Sequence, residues 1–328
     1  VESNFGNNQL IYQIEDYQIT EIRTGYVEKM FEKYIPQNSL VVADGKNING
    51  ILIPPNITNI VFDDCTNPVD VERHLKQIGL DRDYTVLSGL YKYHRSITPD
   101  PKIKFFPFWA IWSSLQEDTP TDPLRKYKIS CLNGSPWNHR KLVYLYLSQK
   151  DYFKEIIFTF GHRLVQYPNT FSDFTLNYEE ALAFSKLEQQ VEFVESDATI
   201  GIDVSINHPA YLDSYINLVT ETDTRSSTPM LSEKTFKPIL ARQLFILIAS
   251  PGAIQFLRDI GLDTFDDVID HSYDNILDPK IRIKQVIDQL DQLAQVDLVS
   301  IYRKLYHRLD DNAKYLRSER FRKQFWLN

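Results

Sequence analysis

Two glutamates and a lysine, Glu221, Glu233 and Lys234, stand between apolar runs in the stretch from Leu218 to Gly252. The polar loop Thr222-Asp-Thr-Arg-Ser-Ser-Thr228 lies within it and Ser250-Pro-Gly252 closes it. An ammonium at a helix mouth joins the helix dipole in holding a diphosphate, and a carboxylate can accept hydrogen bonds from both hydroxyls of a ribose. A second group, Asn133-Gly-Ser-Pro-Trp-Asn-His-Arg140, follows another apolar run. A helix starting there offers backbone N–H groups to phosphate, and the Arg140 guanidinium can grip two phosphate oxygens at once. These are the residue types a nucleotide site requires.

Each has a plainer alternative. Arg140 can salt-bridge a neighbouring helix, His139 can be a packing histidine, and Glu233 with Lys234 can be a surface ion pair worth about 0 to 1 kcal/mol. Residues 222–228 can close over a ligand, with Arg225 as a further phosphate contact, or stay a disordered solvent loop. The helix start is also open. Pro238 kinks a helix begun at Ser232 but is tolerated if Thr235 is the cap. On the ligand reading, Lys234→Ala and Arg140→Ala each weaken nucleoside-diphosphate binding and leave the thermal melt nearly unchanged.

The elements that position these residues follow from periodicity. Strand-like Tyr127 to Leu132 precedes a helix from about Asn138 to Lys150, then a strand at Glu155 to Phe160 and a helix near Tyr178 to Gln190. A strand at Tyr215 to Thr220, a helix after Ser232, a strand at Leu244 to Ala249 and a helix near Ala253 to Ile260 continue the alternation. This pattern predicts an α/β fold with an open, mainly parallel sheet, whose ligands bind at the strands' carboxyl ends. Apolar spacing predicts two more amphipathic helices, one after Pro279 and one over Val299 to Leu316.

Upstream, Leu40 to Ala43, Ile60 to Phe62, Thr85 to Leu87 and Lys104 to Pro107 read as buried strands, with a helix over Val69 to Ile78. Between the halves, Ser114 to Lys126 has the composition of an exposed connector. The expected organisation is an N-terminal α/β domain over 1–113, a linker over 114–126, a ligand-binding domain over 127–300 and a helical tail over 301–328.

Composition sets the outer bounds. The chain has 328 residues, 43% apolar, with a net charge of −8, which disfavours a broad grip on duplex nucleic acid. Cys65 and Cys131 are too few for a disulfide framework and read as reduced thiols, which points to a cytoplasmic, soluble protein. No run is long enough to span a membrane, and Val1-Glu2-Ser3-Asn4 lacks the pattern of a secretion signal. A first residue other than methionine is expected of a chain that begins inside a longer protein. There is no GxGxxG, Walker loop, HExxH or nucleophile elbow. The adjacent pairs Asp63-Asp64 and Asp266-Asp267 are poor joint ligands on a strand, so no metal is expected.

The ordered set strand, Asn133 to Arg140, helix, then Val219-Thr-Glu-Thr222, Ser232-Glu-Lys234 and an apolar strand resembles the donor half of the α-1,3-fucosyltransferase-like family. It is also similar to glycosyltransferases of large viruses and phages, a likeness that implies a place in the host cytoplasm. The resemblance covers roughly residues 127 to 260. It implies a GT-B-type architecture of two Rossmann-like domains with an interdomain cleft and C-terminal helices. It implies a sugar moved from a nucleoside-diphosphate sugar to an acceptor hydroxyl, with the donor as substrate and no cofactor. In that reading Asn133, Arg140, Glu221, Arg225, Glu233 and Lys234 surround the donor. Arg140 and Lys234 stabilise the leaving diphosphate, Glu233 orients the ribose, and Glu221 with its loop closes the site. If the reaction inverts the anomeric centre, a carboxylate deprotonates the acceptor, and Asp63, Asp64 and Asp44 are the alternatives. A glycan is the expected acceptor. The competing readings are transfer to a hydroxymethylated base in DNA, served by Tyr91 to Arg95 and Phe105 to Trp109, and a non-catalytic nucleotide-sugar or glycan-binding module.

Overall fold

The computed structural model describes the backbone of six strands, 11–15, 18–21, 39–42, 59–62, 85–88 and 103–105. From there it describes residues 107–115, 117–119, 121–122, 124–161, 175–188, 193–194, 206, 208–225 and 229–325. The chain divides into two units, Val1–Leu115 with Ser318–Asn328, and Gln116–Arg317. Asp44, Asp63, Asp64, Cys65, the expected helix over 69–78 and the Tyr91 to Arg95 segment lie outside the described residues.

In the first unit, strands β1 (Ile11–Glu15), β2 (Gln18–Glu21), β3 (Ser39–Val42), β4 (Asn59–Phe62), β5 (Thr85–Ser88) and β6 (Ile103–Phe105) form one sheet. Its order is β2-β1-β3-β4-β5-β6, with β2 antiparallel to β1 and every other pairing parallel. Helix α1 (Phe108–Ser114) follows, and it buries Trp109 and Trp112. These indoles are core residues, so Trp109 is not an open stacking platform.

The second unit begins with β7 (Tyr127–Asn133), α2 (Asn138–Leu147), a 3-10 turn, β8 (Ile156–Gly161), α3 (Tyr178–Glu188) and β9 (Phe193–Val194). It continues with α4 (Pro209–Leu212), β10 (Ser214–Thr220), α5 (Glu233–Leu240), β11 (Leu244–Ile248) and α6 (Ala253–Asp259). Helices α7 (Pro279–Gln295) and α8 (Leu298–Arg317) complete it, and α9 (Glu319–Lys323) belongs to the first unit. The sheet order is β11-β10-β7-β8-β9, parallel throughout. The alternation expected from periodicity is therefore present.

Sequence pattern explains the burial. The β10 run Ser-Tyr-Ile-Asn-Leu-Val-Thr and the β11 run Leu-Phe-Ile-Leu-Ile are buried along their whole length, as central parallel strands covered on both faces are. From β7 the chain builds outward through β8 and β9, then returns to add β10 and β11 on the other side. Right-handed crossovers then place α2 and α5 on opposite faces, where α7 packs on α2 and α8 on α5. Between α2 and β8, Tyr144 meets Phe153, Phe158, Phe160 and Phe184 at centroid distances of 5.2 to 6.1 Å. The aromatic richness of this region is spent on packing.

The connector departs from its composition at one residue. Glu117, Asp118, Asp122, Leu124 and Lys126 are exposed, but Arg125 is buried. Its Nη1 donates to the Tyr211 and Ser214 carbonyls at 2.6 and 3.1 Å, and its Nη2 to the Ala241 carbonyl at 2.8 Å and the Tyr302 hydroxyl at 2.7 Å. One guanidinium thus satisfies the ends of α4, α5 and the start of β10, with its face on the Tyr302 ring 5.0 Å away.

Arg125→Met strands those acceptors in the interior and is expected to cost about 3 kcal/mol or more in urea unfolding. Arg308→Met, which removes ion pairs to Asp263 and Asp267 that stay partly hydrated, is expected to cost about 1 kcal/mol or less.

Candidate functional site

The switch in strand order lies between β7 and β10, and the loops that leave their carboxyl ends diverge there. Asn133, Arg140, Glu221, Glu233 and Lys234 stand on the segments that meet at this point. Thr220 ends β10, and the next residue, Glu221, is fully buried. Its Oε1 accepts from the Ser232 backbone N–H at 2.9 Å and the Thr235 hydroxyl at 2.6 Å, and its Oε2 accepts from the Ser232 hydroxyl at 2.7 Å. Its own N–H donates to the Ile248 carbonyl at the end of β11. Glu221 therefore pins the mouth of α5 to the ends of both strands. It is an anchor, where a closing loop was expected.

Helix α5 starts after Ser232, whose hydroxyl accepts from the Lys234 N–H at 3.3 Å. The alternative cap, Thr235, lies inside the helix and its hydroxyl is spent on Glu221. Pro238 stands inside the helix, two residues before its end at Leu240. Phe236, Ile239 and Leu240 face the core, which leaves Glu233 and Lys234 at the mouth.

Lys234 and Glu233 form an ion pair, Nζ to Oε1 at 2.9 Å, with side chains 31% and 18% exposed. Lys234 Nζ also donates to the Ser232 hydroxyl at 3.2 Å. Burial works against the Glu233 carboxylate, but the Lys234 and Lys237 charges outweigh it and hold its carboxyl below the ordinary value of 4.5. Burial likewise works against the Lys234 ammonium, but Glu233 and Glu221 overcome both burial and the opposing Arg140 charge and raise it above 10.5. The Arg140 charge is thus near enough to be felt at Lys234.

Arg140 itself is 2% exposed. Its Nη1 donates to the Ser135 carbonyl at 3.0 Å and its Nη2 to the Thr220 carbonyl at 2.9 Å. It ties the loop after β7 to the end of β10. Asn133 does related work: its Nδ2 donates to the Thr159 carbonyl on β8 at 3.1 Å, and its Oδ1 accepts from the Thr220 hydroxyl at 2.6 Å. His139 is buried in α2. An arginine that holds two backbone carbonyls in the interior cannot be removed without cost to folding, so the expectation of an unchanged melt for Arg140→Ala gives way.

In the loop after β10, Asp223, Thr224 and Arg225 are each held by a hydrogen bond. The Asp223 carbonyl accepts from the Ser250 hydroxyl at 3.2 Å, the Thr224 carbonyl accepts from Arg282 Nη2, and the Arg225 N–H donates to Asp223 Oδ1 at 2.9 Å. Asp223 and Thr224 are buried, and Arg225 is exposed.

The mouths of α2, α5 and α6 lie at this edge, and they differ. At α6, Gly252 adopts φ +86°, and the Asp274 carboxylate accepts from the Ile254 and Gln255 N–H groups. The protein's own anion occupies that mouth, and burial pushes the Asp274 carboxyl up despite those bonds. At α5, Ser232 caps and Glu221 stands behind. At α2, Trp137 gives no side-chain cap and the first turn holds no acidic residue. The mouth of α6 is thus filled by a carboxyl of the protein's own, whereas the mouth of α5 carries the Lys234 ammonium.

Asp274 and Arg282 escaped the sequence reading. Arg282 falls four residues before Val286, on the apolar face of α7, and a cation at an apolar register was the available signal. Among the described residues no group of three or more His, Cys, Asp or Glu side chains is placed to hold a metal ion, and no helix is long and apolar enough to cross a membrane.

No protein-family model matches the sequence, and no curated protein matches it. Among solved structures, the chain is similar to T4 phage BGT in complex with UDP and Mn2+, at 11% identity and TM-score 0.44, covering 88% of this chain and 82% of that one. It is similar to the DNA modifying enzyme beta-glucosyltransferase, at 12% identity and TM-score 0.43, covering 88% and 80%. A glycosyltransferase from Rickettsia africae ESF-5 aligns at 14% identity and TM-score 0.39, covering 91% and 77%. Likenesses this distant carry no weight for function beside the residues above.

Glu221→Ala removes the acceptor of three buried donors and is expected to cost about 3 kcal/mol in urea unfolding, against about 1 kcal/mol for Ser232→Ala. The Glu233–Lys234 pair makes a separate prediction in pH. A lowered carboxyl stabilises the fold above its ordinary value of 4.5 and loses that contribution as pH falls through the folded value. A raised ammonium stabilises below 10.5 and loses its contribution as pH rises through the folded value. The stability difference between the wild type and the double variant Glu233→Gln/Lys234→Met is therefore expected to be flat between those limits and to shrink outside them.

Proposed function

We propose that this chain is a glycosyltransferase that holds a nucleoside-diphosphate sugar at the carboxyl edge of the second unit's sheet and moves the sugar to an acceptor hydroxyl. The observation that carries the reading is Lys234: a cation that solvent reaches, at a helix mouth on the topological switch point, with the buried Arg140 charge behind it. Open parallel sheets bind their ligands at this point, and a diphosphate is the ligand that a hydrated cation there fits.

The side chains divide the work. Lys234 meets the diphosphate and the exposed Arg225 adds a second positive charge. Glu233, beside Lys234, accepts from the ribose hydroxyls. Arg140 and Asn133 hold the loop after β7 in place, and Arg140 contributes its field. Glu221 sets the position of α5. In transfer, the acceptor oxygen bonds to the anomeric carbon, the bond to the diphosphate oxygen breaks with its electron pair, and the acceptor proton passes to a carboxylate. Asp44, Asp63 and Asp64 remain the proposed alternatives for that base, in the half that takes the acceptor. Lys234 and Arg225 oppose the charge that develops on the leaving diphosphate, so turnover is proposed to need no divalent metal and to survive EDTA.

The motif order around Arg140, Glu221 and Lys234 supports a likeness to the α-1,3-fucosyltransferase-like family as the finer reading. The net charge of −8 favours a glycan acceptor over an extended grip on duplex DNA.

Thermal shift against common nucleoside diphosphates and their sugars tests the proposal. A diphosphate at 100 times its dissociation constant is expected to add about 2.7 kcal/mol to the wild type. Lys234→Ala is expected to melt close to the wild type without ligand and to lose most of that response. A wild type stabilised by none of them, or a Lys234→Ala variant that responds in full, would sink the assignment. A chain that binds the donor but never releases diphosphate with any acceptor is a binding module.

A further inference from the structure

Arg282, near the start of α7, is 1% exposed. Asp223, Asp274 and Asp278 all lie within reach of its charge, yet its donors go elsewhere. Its Nη1 donates to the Ile276 carbonyl and its Nη2 to the Thr224 carbonyl. Its Nε and the buried Thr224 hydroxyl have no partner among the described residues. Burying a guanidinium with part of its donor capacity unused is costly. The planar fork has a use that no apolar side chain could serve: it joins the carbonyls of two segments, one after β10 and one before α7.

The Thr224 carbonyl is the middle of three fixed points. The Asp223 carbonyl is held by Ser250 and the Arg225 N–H by Asp223, so Arg282 completes the clamp on the turn from which the exposed Arg225 side chain departs. Without that bond the turn loses its middle fixed point, and the direction in which the Arg225 side chain leaves it is less closely set.

We infer that Arg282 is a positioning residue for the donor site, fixing the turn that aims Arg225 at the diphosphate; this rests on the nucleotide-sugar reading above. It touches no substrate. Its effect is on binding through Arg225, so the two residues are coupled.

Calorimetric titration of the full chain with UDP and GDP tests this in the wild type, Arg282→Lys, Arg225→Ala and the double variant. For the diphosphate that the wild type binds, each single variant is expected to weaken binding about tenfold, and the double variant to match Arg225→Ala within about twofold. Arg282→Lys binding as tightly as the wild type, or losses that multiply in full, overturns the inference while Lys234→Ala still reports on the donor site. A wild type that binds neither diphosphate overturns it together with its premise if the wider thermal screen is also silent. Should the lysine variant not fold, Arg282→Gln repeats the comparison. Amide exchange in the wild type needs no variant: the bound diphosphate is expected to slow exchange at Thr224 and Arg225, and unchanged exchange there overturns the inference.

Discussion

The carboxylate of Glu221 is the contact on which the carboxyl edge of the second unit depends. A fully buried carboxylate costs several kcal/mol unless donors and positive potential surround it. Here it has three donors from Ser232 and Thr235, the mouth of α5 in front of it and the Lys234 charge nearby. The dependence runs both ways. Glu221 fixes Ser232, Ser232 fixes the first turn of α5, and that turn fixes where Glu233 and Lys234 stand. Because the Glu221 N–H also bonds to the Ile248 carbonyl, the ends of β10 and β11 share the same anchor.

Beside that anchor and at the far end of the strands, buried arginines perform one repeated task. Arg125, Arg140 and Arg282 all donate to backbone carbonyls at places where strands or helices end. Carbonyls there have lost their regular partners and, being buried, cannot turn to water. A guanidinium answers two such carbonyls from separate segments at once, which a lysine's single nitrogen does less well. These charges stay in the interior for geometry, Arg125 at the amino end of β10 and Arg140 and Arg282 at and beyond its carboxyl end.

How much of this was legible depends on which physical signal each residue leaves in the sequence. The β10 and β11 runs, the α2 and α7 periodicities and the crowding of Glu221, Glu233 and Lys234 are local patterns, and the structure places them as periodicity implied. The start of α5 was ambiguous because Ser232 and Thr235 are both good caps, and the tie was broken by Glu221, a long-range partner. The loop after β10 looked free because Thr, Asp and Ser compose solvent loops, yet its first residues are pinned by Ser250 and Arg282. Arg125 looked like linker for the same reason. Each misreading has one origin: composition reports a side chain's preference for water and is silent about a backbone carbonyl that needs a donor.

Division between buried and hydrated charge also leaves the mouth of α5 with hydrogen-bonding capacity that the fold does not use up. An ammonium has three donors, and Lys234 gives one to the Glu233 Oε1 and one to the Ser232 hydroxyl. One donor is left over, on a side chain that solvent reaches. The Glu233 carboxylate likewise has lone pairs beyond the one it lends to Lys234. The ion pair therefore keeps a donor and an acceptor side by side without breaking. A phosphate oxygen and a neighbouring ribose hydroxyl present the complementary pair, an acceptor beside a donor. On the proposed function, binding on that pattern adds hydrogen bonds to an existing ion pair, so Glu233 and Lys234 take a nucleotide without giving up the contact between them.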